Sequence, residues 1–276
     1  MAKLNQPTTS GRTKSAQRKT GRRHPLATLA LIAIGLGLTG GVYAVATSTS
    51  SASAETATAS QQQVDDGQKL FEANCATCHG MNAVGTTVAP SLIGVGAAAV
   101  DFQVGTGRMP MAANGPQALE KTPQFTQKQT DELAAYVASL APGPAVPAKK
   151  YTDGTGDAAA GAELFRINCA MCHNVAGAGG ALTEGKFAPA LKGVSPVHIY
   201  EAMLTGPQNM PVFNDRNITP SQKADIITYL TYLEKNPSPG GFALGDLGPV
   251  AEGLFLWIFG LGSVVGLAVW ITAKTN

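Results

Sequence analysis

Charge is scarce in this chain. Asp, Glu, Lys and Arg make up 14% of its 276 residues and the aromatics 6%, against 44% hydrophobic residues, and the net charge is +2. So low a charge content excludes a wholly disordered chain and indicates that part of it lies in something other than water. No basic patch interleaved with aromatic residues is present, which excludes nucleic-acid binding. Acidic residues are missing from the first 23 positions, which hold Lys3, Arg12, Lys14, Arg18, Lys19, Arg22 and Arg23, whereas residues 48–249 carry 12 basic and 17 acidic groups. Strand-like alternation is nearly lacking. Cysteine is limited to four residues, all of them in two short motifs.

Two apolar runs frame the polar middle. Residues 26–46 carry no charge and supply the ~20 residues that a membrane-crossing helix needs. The basic tail before them, residues 1–25, places the N-terminus in the cytoplasm by the positive-inside rule. Retention as an anchor is the expectation, with cleavage near Ala52-Ser53-Ala54 as the alternative. Arg22-Arg23 reads as ordinary topology charge before a twin-arginine signal. The second run, residues 250–271, spans ~33 Å at ~1.5 Å per residue. Glu252 is its only charge, and Lys274 follows it. Gly262 and Gly266 give this helix a small-xxx-small face on which another helix could pack; the alternative is a plain lipid-facing anchor. The expected topology is a cell-membrane protein with both termini cytoplasmic and residues ~48–249 outside the cytoplasm.

Between the runs, small polar residues make a flexible linker at 47–63, and Pro/Gly-rich stretches make linkers at 141–156 and 236–249. The segments they bound, 64–140 and 157–235, are copies of each other. Leu70 to His79 aligns with Leu164 to His173, Ala89-Pro90-Ser91-Leu92 with Ala188-Pro189-Ala190-Leu191, and Phe125 to Leu140 with Ile218 to Leu233. Two domains of one fold follow. Each opens with a predicted helix, Asp65 to Cys75 in the first. Gly67, Phe71 and Cys75 share one face there, as do Gly161, Phe165 and Cys169 in the second. Each closes with a helix capped by Thr126 or Thr219. Gly- and Pro-rich loops lie between. Domains this small have thin cores and need a staple or cofactor.

The cysteines form two C-x-x-C-H pentapeptides, Cys75-Ala76-Thr77-Cys78-His79 and Cys169-Ala170-Met171-Cys172-His173. This is the pattern of c-type haem attachment. Two thiols at i and i+3 project from one side of a helical turn toward the two vinyl groups of a haem, and the next imidazole can reach the iron. A disulfide framework gives no reason for the histidine after both pairs, and zinc would leave two sites far apart in the chain and oddly duplicated. The sixth iron ligands come from Met81, Met109, Met111, Met203, Met210, His24 or His198. The repeat selects Met109 and Met210, each four residues after a glycine and immediately before a proline that restricts the backbone. Met111 and His198 are the alternatives. His/Met ligation raises the reduction potential and leaves no open coordination position, which favours electron transfer. Pro90 and Pro189 stand where their carbonyls could accept the outer N–H of His79 and His173.

Each repeat resembles a class I cytochrome c, with its Gly/Phe helix, C-x-x-C-H, Pro-Ser/Ala-Leu loop, M-P ligand and closing helix with Tyr136 or Tyr229. The whole order resembles the dihaem cytochrome c subunits of actinobacterial cytochrome bcc complexes, with the run from Gly206 to Phe213 and the C-terminal anchor narrowing the match. The resemblance implies a mainly α fold with two tandem class I domains plus transmembrane helices, and two covalently bound haem c. It also implies partners: a cytochrome b subunit, a Rieske iron–sulfur subunit and cytochrome c oxidase, in a quinol–cytochrome c reductase whose quinone site lies in another chain. The electron enters at the first haem and leaves from the second by that analogy. A dihaem oxidase subunit, a free-standing dihaem enzyme and a simple anchored carrier are the competing readings.

Overall fold

The computed structural model describes residues 25–49, 59–113, 115–236, 244 and 248–273. Residues 1–24, the Ala52-Ser53-Ala54 site, Lys274 and parts of the first and third linkers lie outside the described residues. The chain divides into two units, Met1–Ala52 and Ser53–Asn276. The described part of the first is one helix, α1 (Pro25–Thr49), in which Leu26–Gly41 is apolar.

In the second unit the four outer helices of the repeats follow from their caps. Helix α2 (Gln61–Asn74) begins at a capping box: the Ser60 hydroxyl accepts from the Gln63 N–H, and the Gln63 side chain accepts from the Ser60 N–H. It therefore starts ahead of the expected Asp65, inside the stretch read as linker 47–63. The short α3 (Ala76–His79) follows it. Helix α5 (Gln127–Leu140) has the same box at Thr126 and Gln129. In the second repeat, Asp157 caps α6 (Ala158–Asn168), α7 (Ala170–His173) follows, and Thr219 with Gln222 caps α9 (Pro220–Lys235).

Within each domain the first and last helices cross closely, α2 on α5 and α6 on α9. Glycine permits the approach. A Cβ at Gly67 would overlap the Glu132 carbonyl, and one at Gly161 the Asp225 carbonyl. Phe71 and Phe165 sit one turn on and are fully buried, tilted against Tyr136 at 5.2 Å and Tyr229 at 5.6 Å. Burying each ring is worth ~1.5–3 kcal/mol. The first core adds Val100, Val104, Leu133 and Val137; the second adds Ile199, Tyr200, Ile226 and Leu230. Lys223 is buried at the start of α9, where its ammonium donates to the Asp215 carboxylate at 2.8 Å and the Ile218 carbonyl at 2.6 Å. That pair fastens the preceding loop to the helix.

Two further helices, α4 (Gly96–Gly105) and α8 (Pro196–Thr205), occupy stretches read from sequence as loop. Helix α4 buries Ala98, Val100, Asp101, Phe102 and Val104, because α5 covers one side and α8 another. A helix without a polar face shows no 3.6-residue period. Helix α8 starts with Pro196 at its first turn and ends at Gly206 in the left-handed region. A short hairpin pairs the two-residue strands β1 (Gly180–Ala181) and β2 (Phe187–Ala188). The α4–α8 contact joins the two domains. The segment between them is packed as well: Ala98 N–H donates to the Pro144 carbonyl at 3.1 Å, and Tyr151 stacks on Tyr200 at 6.0 Å.

At the C-terminal end, α10 (Pro249–Phe255) runs through a π-helical turn (Leu256–Leu261) into α11 (Gly262–Ala273). Val250–Ala273 is the one helix among the described residues long and apolar enough to cross a membrane. Of the run expected over 26–46, the apolar stretch Leu26–Gly41 of α1 is the described part; the side chains of residues 42–46 lie outside the described residues. A Cβ added at Gly262 or Gly266 meets nothing within 4 Å, so the small-residue face is open.

Candidate functional site

Cys75 ends α2 and Cys78 and His79 lie on the single turn of α3, where the Cys75 carbonyl accepts from both the Cys78 and His79 N–H groups at 3.1 and 3.0 Å. Cys169, Cys172 and His173 repeat the arrangement at 3.2 and 2.9 Å. None of the four cysteines forms a disulfide. Burial, and then the neighbouring cysteine of each pair, pushes the Cys75 and Cys169 thiols up to about 11, so both are neutral.

Each histidine is held through its outer nitrogen. His79 Nδ1 lies 2.8 Å from the Pro90 carbonyl and His173 Nδ1 2.9 Å from that of Pro189, as expected from the sequence. A carbonyl only accepts, so Nδ1 carries the proton and Nε2 keeps its lone pair for a metal. Burial lowers the His173 pKa against the effect of this bond, which favours the neutral ring. In the second domain the β1–β2 hairpin carries Pro189 on the end of β2. In the first, a Thr86 N–H to Ala89 carbonyl bond of 2.8 Å stands in its place.

In the second domain these residues open onto a mostly apolar cavity of about 420 Å³, whose wall includes Cys172, His173, Pro189, Leu191, Met203 and Met210. That volume lies in the range of cofactor pockets. His173 and Met210 thus share one cavity. In the first domain, Cys75 and Met109 both pack against the core built on Phe71 and Leu133. Two cysteines on one turn and an imidazole fixed through its outer nitrogen in each domain, with an apolar chamber in the second, suit a covalently attached haem, so the residues fit the group. Among the other sulfur candidates, Met81 is exposed, Met111 is half-buried and Met203 is a core residue. His198 also lines the cavity but faces Asp101 at 3.9 Å.

A family model described as cytochrome C oxidase, cbb3-type, subunit III matches residues 62–137 and 156–230, one match per repeat. Over its whole length the chain is 42% identical to the whole of the cytochrome bc1 complex cytochrome c subunit of Corynebacterium efficiens. It is also 42% identical to the subunit of that name from Mycobacterium tuberculosis, over 97% of this chain and 98% of the relative. The chain belongs to the cytochrome bc1 complex cytochrome c subunit family. A cbb3-type cytochrome c oxidase subunit FixP from Rhizobium meliloti is 31% identical, but over 41% of this chain and 39% of its own. The likeness to oxidase subunits is therefore partial, whereas the likeness to bc1 complex subunits takes in both domains and both ends.

As a member of this family the chain is an electron-transfer cytochrome c subunit, and its cytochrome c domains indicate covalently bound haem c. The repeat alignment missed one feature of the second cavity. Phe102, Arg108, Gln117 and Glu120 of the first domain form part of its wall, with the Arg108 guanidinium 4.8 Å above the Phe102 ring and 3.4 Å from Glu120. A repeat identifies what two domains share, and these residues act where the domains differ. The one sequence signal was the Gly206–Phe213 run, whose Gln208 turns out to bind the first domain.

Proposed function

We propose that this chain is the dihaem electron relay of a respiratory quinol–cytochrome c reductase. It takes single electrons from a Rieske iron–sulfur subunit beside a cytochrome b subunit and delivers them to cytochrome c oxidase. When bound, each haem supplies an iron that exchanges one electron between its ferrous and ferric states. Cys75 and Cys78 hold the first haem through thioether bonds, and Cys169 and Cys172 hold the second. His79 and Met109 would hold the iron in the first domain, and His173 and Met210 in the second.

The chain's own contribution is positional. Pro90 and Pro189 fix the tautomer and ring plane of the two histidines, and a hydrogen bond to the outer nitrogen raises ligand basicity. A methionine sulfur together with an imidazole as ligands would raise the potential and leave no open coordination position for oxygen. The apolar walls exclude water, which favours the less charged, reduced centre. Fusing two such domains replaces diffusion between carriers by a fixed separation with high effective concentration.

Residues 26–46 and 250–271 anchor the chain in the cell membrane with both termini cytoplasmic. The domains at 64–140 and 157–235 then stand on the outer side, where quinol oxidation delivers its electrons. The observation that carries this reading is the duplicated C-x-x-C-H turn with its histidine bonded to a proline carbonyl in both copies. Purification in mild detergent tests it: the chain is expected to bring with it a b-type haem protein, an iron–sulfur protein and copper from an oxidase. A chain that purifies free of all three contradicts the assignment to the complex.

A further inference from the structure

The contact between α4 and α8 buries a set of titratable groups that the haem sites do not use. Asp101 of α4 is 5% exposed and Glu201 of α8 is 0% exposed. His198, one helical turn before Glu201, completes the set, and one donor atom from each residue lies within 4.8 Å of the others. Glu201 is the anomaly. No ordinary donor group reaches either of its carboxylate oxygens; the side chain in hydrogen-bonding position is a second carboxylate, Asp101, and burial followed by that neighbour pushes the Glu201 carboxyl up to about 10. An ionised carboxylate buried without donor or counter-charge costs several kcal/mol.

Asp101, by contrast, is oriented. Gln127 Nε2 donates to its Oδ1 at 2.9 Å, which leaves Oδ2 toward His198 Nε2 at 3.9 Å. That separation is too long for a hydrogen bond. It is close to the ~3.4 Å between two ligand atoms that each stand ~2.1 Å from a tetrahedral metal. We propose that Asp101, His198 and Glu201 form an interdomain site for a divalent cation of the zinc type, which ties α4 of the first domain to α8 of the second.

The chemistry agrees. Two carboxylates cancel the charge of a dication, so the buried cluster becomes neutral. Burial holds the His198 pKa below its ordinary value, leaving a neutral ring able to ligate. One imidazole with two carboxylates suits zinc better than magnesium or calcium, which take oxygen alone, or copper(I), which takes sulfur. The His198 side chain is 19% exposed and borders the cavity of the second domain. Arg108 carries a positive charge near His198, and Glu120 beside it offsets that charge. Gln127 acts as the outer partner that fixes one ligand. A proton shared between Asp101 and Glu201 is the competing way to satisfy the same oxygens, and it leaves His198 without a role.

The test uses the full-length chain in detergent with its haems, stripped by a chelator and titrated with zinc chloride. Metal is counted after gel filtration, and circular dichroism establishes that Glu201→Gln and Asp101→Asn fold, with His198→Gln in reserve. The expected result is one zinc per chain beyond the haem iron, bound more weakly by at least about tenfold in each variant. Zinc also raises the unfolding temperature of the wild type and not of Glu201→Gln. Equal zinc binding in wild type and variants, or none in either, overturns the proposal. A protonated-carboxyl infrared band in zinc-treated wild type that Glu201→Gln abolishes also overturns it, in favour of the shared proton.

Discussion

The Gln208 carboxamide closes a two-bond ring with the backbone of Ala118, accepting its N–H at 3.1 Å and donating to its carbonyl at 3.0 Å. Gln117 returns the arrangement to Phe187, accepting at 2.9 Å and donating at 2.8 Å. Each domain thus clamps a backbone segment of the other as a strand would. Four neutral bonds, each worth ~1 kcal/mol net or less, add to the α4–α8 packing in holding the two domains together. In the double variant Gln117→Ala/Gln208→Ala, amide hydrogen exchange at Ala118 and Phe187 is expected to accelerate while both haem spectra stay unchanged. Undiminished protection at those two amides would contradict the clamp.

The axial assignment separates the two domains. Replacing Met109 is expected to lower the potential of one haem and replacing Met210 that of the other, each on the order of 0.1 V or more within the ~0.8 V range that axial ligands cover. Both variants keep their haems, since the thioether bonds are untouched. A redox titration that finds both potentials unchanged in either variant removes that methionine from the coordination sphere.

Helix crossing rests on two glycines. Gly67→Ala and Gly161→Ala drive a methyl group into the carbonyls of Glu132 and Asp225, which is expected to cost ~1–3 kcal/mol of stability each. Gly262→Ala, where the added carbon meets nothing within 4 Å, serves as the control. Denaturant midpoints that fall equally in all three would show that close crossing is not the cause.

Lys223 fastens the loop at Asp215 and Ile218 to α9. Lys223→Ala leaves a buried carbonyl without its donor and is expected to cost ~1–3 kcal/mol, the Asp215 carboxylate being open enough to rehydrate. Asp215→Asn keeps a polar partner and is expected to cost less. Thermal unfolding of the two variants checks the order.

Much of the site was legible because its chemistry is local. Both C-x-x-C-H turns, the Thr126 and Thr219 caps, and the Gly67/Phe71 and Gly161/Phe165 faces are each defined within one or two helical turns. The carbonyls of Pro90 and Pro189 were reachable because the repeat kept them at matching places. Helices α4 and α8 were not legible, since α4 is covered on two sides and its sequence alternates with nothing. The Ser60/Gln63 capping box was overlooked within a run of small polar residues that reads as linker. Least visible was the interdomain contact. Among the described residues, Gln117, His198, Glu201 and Gln208 have no side-chain hydrogen-bond partner within their own repeats, and Asp101 has only Gln127; they acquire meaning only once one copy is set against the other.

The central claim is that each C-x-x-C-H turn carries a covalent, six-coordinate haem. Intact-mass measurement of the detergent-purified full-length chain tests it most directly. The account predicts a mass that exceeds the polypeptide by two haem groups under denaturing conditions, falling to one when Cys169 and Cys172 are both replaced by Ser. A chain whose mass is that of the polypeptide alone, or that carries a single haem before any substitution, contradicts it.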